Sequence, residues 1–146
     1  MKLVQIDEIT GTLLEGSDKL IIFTHGLMDN RMQYPILELS YMFYKIGFST
    51  FRFDFRGCGE SFYPQEKYSI RSMKEDLEKV LDYFEEKFDE IFLVAKSIST
   101  IPALMVKRVK TVFLAIPFEI QKNVSEEELR IAKDKGYIFF EGKKYG

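Results

Sequence analysis

The chain has 146 residues, 46% of them hydrophobic and 15% aromatic, which suits one globular domain and is too apolar for a disordered segment. Lys and Arg total 21 against 23 acidic residues, a net charge of −2, so there is no basic footprint for nucleic acid and no polybasic stripe for a lipid surface.

The N-terminal MKLVQIDEIT is charged and lacks an apolar signal-peptide core, and no apolar run approaches the ~20 residues that span a bilayer. A cytoplasmic protein without membrane contact is expected. Leu3 to Ile6 and Thr12 to Leu14 alternate on either side of Gly11 and predict an antiparallel strand pair. Lys19 to His25 is a continuous apolar run ending at Gly26, the pattern of a strand buried on both faces. Pro35 suits a first helical turn, and Ile36, Leu39, Phe43 and Ile46 follow at helical spacing until Gly47. Phe48 to Phe55 reads as a strand, and Arg56 to Ser61 as a tight glycine loop.

A long helix is expected next, with Ile70, Met73, Leu77, Val80, Leu81, Phe84 and Phe88 on one face and Lys74, Glu75, Glu78, Asp82 and Glu85 toward water. Glu90 to Ala95 predicts a buried strand, Ile98 to about Lys107 a short helix, and Thr111 to Ile116 a last strong strand. Ser125 and Glu128 form a capping-box pattern opening a charged helix to about Lys135, and Gly136 precedes the short run Tyr137 to Phe140. Alternating strands and helices imply an α/β fold of three layers, a mostly parallel twisted sheet with helices on both faces. Residues 1–120 would form its core, and 121–146 a C-terminal helix and short strand. In such sheets chemistry gathers at the carboxyl ends of strands, here after His25, Phe55, Ala95 and Ile116.

Three segments at those ends carry a resemblance. Ile22-Phe-Thr-His25-Gly26-Leu27 ends a strand in His-Gly; Asp54-Phe-Arg56-Gly57-Cys-Gly59-Glu-Ser61 follows the pattern D-x-R-G-x-G-x-S; and Ala95-Lys96-Ser97-Ile98-Ser99 links a strand to a helix. In order and spacing they resemble the α/β-hydrolase superfamily, particularly its lipase-, esterase- and serine-aminopeptidase-like members, over roughly residues 19 to 117. The resemblance implies a truncated α/β-hydrolase fold, with Ser97 at the nucleophile position and the backbone N–H groups of Leu27 and Ile98 as the oxyanion hole. His25, Gly26, Asp54, Arg56, Gly57, Gly59 and Ser61 would be structural loop residues. Ala95 and Ser99 replace the two glycines of G-x-S-x-G, and both are small enough for strand and helix to approach.

A serine hydroxyl needs a base to take its proton, usually a histidine held by an acid. His25 is the sole histidine, and relatives use it to shape the loop; their acid and base follow two further strands, after the point where these residues stop. Lys96 adjoins Ser97, but neighbouring residues at such a turn point in different directions. Ser97 or Ser99 read in isolation would be a helix N-cap. One cysteine, Cys58, excludes an internal disulfide and reads as a structural thiol; with a single histidine, no metal and no cofactor are implied. Phe62, Tyr63 and Tyr68 read as loop packing.

The leading expectation is a serine hydrolase of ester or amide bonds, active with a second polypeptide that supplies the missing strands, acid and histidine. The alternatives are a non-catalytic scaffold that homodimerises through the open edge strand at Thr111–Ile116, or a truncated product with no independent role. Residues 125–146 faintly resemble the start of a cap that some relatives insert after this strand.

Overall fold

The computed structural model describes residues 1–64, 67–116, 130, 138–140 and 143–145. Six strands form one twisted sheet: β1 (Lys2–Ile6), β2 (Ile9–Leu14), β3 (Lys19–Thr24), β4 (Ser49–Phe53), β5 (Glu90–Lys96) and β6 (Lys110–Leu114). Their spatial order is β1-β2-β4-β3-β5-β6. β1 pairs antiparallel with β2, β2 antiparallel with β4, and β3, β4, β5 and β6 run parallel. The hairpin turn falls at Asp7, whose φ is +50°, and Gly11 lies inside β2 instead of between the strands.

Three helices cross between the parallel strands: α1 (Ile36–Lys45), α2 (Ile70–Phe84) and α3 (Thr100–Val106). Period-two alternation along β3 assigns the layers. Leu20 and Ile22 join Phe51, Phe53, Leu93 and the α2 residues Met73, Leu77, Val80, Leu81 and Phe84 in one core. Ile21 and Phe23 face the other way and pack with Ile36 and Val94, against which Leu39 and Phe43 of α1 close. The sheet is therefore covered on both faces, as the strand-helix alternation implies.

α2 starts at Ser69, whose side chain accepts from the Ser72 N–H while the Ser72 hydroxyl accepts from the Ser69 N–H, satisfying two donors that the first turn would leave orphaned. It ends at Phe84, short of the expected Phe88. α1 begins one residue after Pro35 and gives way to Gly47 at φ +106°. β6 is two residues shorter at its carboxyl end than the apolar run suggests, and Val112 on it is 57% exposed. The helix expected from 125 to 135 lies outside the described residues except for helical Arg130. The Tyr137 to Phe140 run contains β7 (Ile138–Phe140), which pairs antiparallel with β8 (Lys143–Tyr145), a strand that sequence periodicity did not reveal.

Candidate active site

The carboxyl ends of β3, β4 and β5 bring the three segments together. β3 and β5 are in register with Thr24 opposite Ala95, so the chain leaving β3 passes the residue that follows β5. A Cβ added to Gly26 would lie 3.5 Å from the Ser97 Cβ, which puts the two backbones in near contact.

Ser97 stands between β5 and a single 3-10 turn (Ser97–Ser99) that runs into α3. Its φ is +54°, a left-handed conformation that costs a residue with a Cβ about 1–2 kcal/mol. Strain of this kind persists where the surroundings over-determine it, and it clusters at functional turns. Among the described residues the Ser97 Oγ makes no hydrogen bond, so Ser97 is not a helix cap. Ser99 does the local structural work: fully buried, its hydroxyl meets the Thr24 hydroxyl at 2.7 Å, accepts from the Lys96 N–H at 3.0 Å and donates to the Lys96 carbonyl at 2.8 Å. The Thr100 hydroxyl donates to the Ser97 carbonyl at 2.7 Å.

His25 is fully buried and both ring nitrogens are committed. Nε2 accepts the Phe55 N–H at 3.1 Å, so Nδ1 carries the proton and donates to the Gly26 carbonyl at 2.8 Å. Burial holds its pKa below the usual histidine value. A neutral ring spent on two backbone groups is a brace between the β3 and β4 loops. Leu27 follows Gly26 and is 47% exposed, while Ile98 is partly buried against the core.

The Asp54–Ser61 loop is held by buried charge. Asp54 is fully buried; its carboxylate accepts from the Arg31 N–H at 2.6 Å and the Glu60 N–H at 2.9 Å, and pairs with the Arg31 guanidinium, which also reaches Glu60. A Cβ on Gly59, at φ +50°, would fall 2.3 Å from that carboxylate, so only glycine fits. The Ser61 hydroxyl donates to the Asp54 carbonyl at 2.6 Å and accepts the Thr10 N–H at 2.8 Å, joining the loop to β2. Arg56 pairs with buried Asp76 of α2, reaches Glu75 at 3.2 Å, and lies over the Tyr63 ring at 4.7 Å.

Arg31 and Asp76 escaped the sequence reading. For Asp76 a signal existed, since an acid on the Met73-Leu77-Val80 face has to be paired; Arg31 had none, as it sits in a loop. Cys58 is buried, and desolvation pushes its thiol up to about 12, which makes it no nucleophile near neutral pH. Tyr68 is buried packing, but Phe62 is 85% exposed and packs little.

Two clefts of about 380 and 430 Å³ lie at the amino ends of the parallel strands, one lined by Phe88, Phe92 and Lys110 and the other by Leu13, Ser49 and Tyr83. Both are at the opposite end of the sheet from Ser97. Among the described residues no cluster of His, Cys, Asp and Glu is placed to hold a metal ion, and no helix is long and apolar enough to cross a membrane.

Comparison with solved structures places the architecture. The chain superimposes on a putative hydrolase from Agrobacterium vitis with a TM-score of 0.70 at 20% identity, covering 94% of this chain and 61% of that one. An alpha-beta serine hydrolase homologue from Coxiella burnetii matches with a TM-score of 0.64 at 22% identity, over 82% of this chain and 64% of that one. Alpha/beta hydrolase domain-containing protein 10 from mouse gives 0.64 at 20% identity, over 79% and 48%. The fold is that of the α/β-hydrolases. The chain spans about half to two thirds of these structures and fits an N-terminal portion of the fold. No protein-family model and no curated protein matches the sequence.

Proposed function

We propose that this chain is the nucleophile-bearing part of a serine hydrolase acting on ester or amide bonds, completed by a second polypeptide that brings an acid and a histidine. The observation that carries the reading is Ser97 itself: a strained, left-handed serine at the carboxyl end of a central strand, with a hydroxyl bonded to none of the described residues and Gly26 packed beside it.

In the completed site the partner's histidine would take the Ser97 hydroxyl proton as Oγ attacks the substrate carbonyl carbon. The Leu27 and Ile98 N–H groups would donate to the oxygen as it becomes negative. The histidine would then protonate the departing alcohol or amine, and water would release the acyl group from Ser97. The base has to come from elsewhere because His25 is neutral and doubly bonded and the Lys96 amine is engaged by Asp29 at 2.8 Å and the Tyr34 carbonyl at 3.1 Å. The partner would dock on β6, which pairs only with β5 among the described residues and leaves Val112 exposed. The same open edge supports a second reading, a non-catalytic scaffold in which two copies pair edge to edge.

Tagged chain recovered from lysate of its source, with whatever it binds, should hydrolyse a short nitrophenyl ester on the order of 10³-fold or more faster than the isolated chain, because loss of one triad member costs a serine protease up to ~10⁶ in turnover. Ser97→Ala should abolish the gain. Equal rates for recovered and isolated chain, with a symmetric dimer in solution, would favour the scaffold.

A further inference from the structure

Lys96 precedes Ser97, and its side chain reaches the loop between β3 and α1. Its ammonium donates to Asp29 Oδ2 at 2.8 Å and to the Tyr34 carbonyl at 3.1 Å, two anchor points five residues apart. The side chains of Lys96 and Asp29 are only 22% and 18% exposed, so solvent screens this pair less than the surface pairs elsewhere on the molecule. Asp29 Oδ1 accepts the Asn30 N–H at 3.0 Å, and the Asp29 N–H reaches back to the Gly26 carbonyl at 3.4 Å. A Cβ at Gly26 would be 3.5 Å from Ser97 Cβ and 4.0 Å from Lys96 Cε, so the lysine stem lies against the same short stretch of backbone. That stretch carries Leu27. Met28, directly between Leu27 and Asp29, is held at φ +56°, a strained conformation for a residue with a Cβ.

We propose that Lys96 and Asp29 are positioning residues whose ion pair clamps the β3–α1 loop to the Ser97 turn, fixing the Leu27 N–H relative to the serine before any partner arrives. The proposal rests on the reading of Ser97 as nucleophile and Leu27 as an oxyanion donor. Preorganisation matters here because a donor contributes only if it already stands where the negative oxygen will form, and displacement of about 1 Å costs on the order of 10²-fold in rate. A two-part enzyme has particular need of it, since the late-arriving part would otherwise have to order the loop as well as supply the base. The clamp also accounts for a lysine next to the serine that serves as no base: its ammonium is committed to the Asp29 carboxylate and the Tyr34 carbonyl.

Hydrogen exchange on the purified chain tests the clamp without any activity. Lys96→Met and Asp29→Asn should each speed amide exchange across residues 26–30 by roughly tenfold or more, the amount expected for losing one charge-assisted hydrogen bond, with α2 unchanged. The double exchange of Asp29→Lys with Lys96→Asp should restore much of the protection. Unchanged exchange at 26–30, or an equal rise over the whole chain, would overturn the clamp. In lysate, where the completed site is expected, Lys96→Met should slow phosphonylation of Ser97 by about 10- to 100-fold while leaving the melting temperature near that of the unaltered chain. Equal rates would overturn the positioning role. Absence of labelling in the unaltered chain overturns the reading of Ser97 and not the clamp, on which exchange alone decides.

Discussion

The imidazole of His25 joins two backbone groups, the Phe55 N–H and the Gly26 carbonyl, from a fully buried position. Its folded pKa is lowered by burial, so below the unfolded value of about 6.5 the unfolded chain binds a proton that the folded chain resists. Stability should therefore fall as pH drops through about 6.5 toward the lowered value and be insensitive to this group above it. His25→Ala should flatten that dependence in urea melts and cost about 1–3 kcal/mol by orphaning the Phe55 N–H. At Ser97 the sign reverses. Glycine adopts a φ of +54° without steric cost, so Ser97→Gly should leave the melting temperature unchanged or raised although it deletes the proposed nucleophile. Arg52 is a third case, 1% exposed, with Nη1 bonded to the Ser40 hydroxyl at 3.1 Å, Nη2 near the Met32 sulfur at 3.8 Å, and Nε unbonded. No carboxylate pairs with it among the described residues, and burial depresses its pKa. Arg52→Met, of similar shape and uncharged, should raise stability by about 1 kcal/mol or more in the same melts.

At the level of elements, the glycine loop is built more from charge than from glycine. Arg56 and Asp76 join it to α2, Arg31 and Asp54 join it to the β3–α1 loop, and Ser61 joins it to β2. Asp76→Ala would leave the Arg56 guanidinium without its buried partner and should cost about 3 kcal/mol by chemical denaturation, whereas Glu75→Ala, at the exposed end of the same arginine, should cost under about 1 kcal/mol. The strands and helices themselves were legible because each apolar run had one period: continuous in β3, alternating in β4, three-to-four in α2. The hairpin turn was misplaced because Gly11 looked like a turn residue, while the turn is made by Asp7 in a left-handed conformation that the local sequence hardly advertises. The pairings Arg31–Asp54 and Arg56–Asp76 link residues about 20 apart and exist only once the sheet forms, so the apolar face around Asp76 could signal that it needs a partner but no local pattern could name one. Ser97, His25 and the loop glycines were expected at the strand ends from the resemblance of their three segments; the ion pair of Lys96 with Asp29 was not, for the same reason of distance along the chain.

Taken whole, the described residues present a sheet with one edge formed by β1 and the other by β6, five residues each. β1 exposes Lys2, Leu3 and Gln5, and β6 exposes Lys110 and Val112 and is followed by Ala115 and Ile116, both exposed. An exposed edge with apolar side chains invites pairing. Val112→Lys should leave the unfolding free energy of the isolated chain within about 1 kcal/mol of its original value, since the side chain is already more than half in solvent, yet abolish association on gel filtration of the recovered complex. The chain has the α/β-hydrolase architecture and spans about half to two thirds of its structural neighbours, its sole histidine is bonded to two backbone groups, and the proposed function has a second polypeptide complete the site. The measurement that bears on this most directly is the mass and site of fluorophosphonate modification of the chain, alone and in lysate of its source. A single phosphonyl group on Ser97 in lysate, absent from the isolated chain and from Ser97→Ala, is the result expected; an unmodified Ser97 in a lysate whose other serine hydrolases are labelled would contradict it.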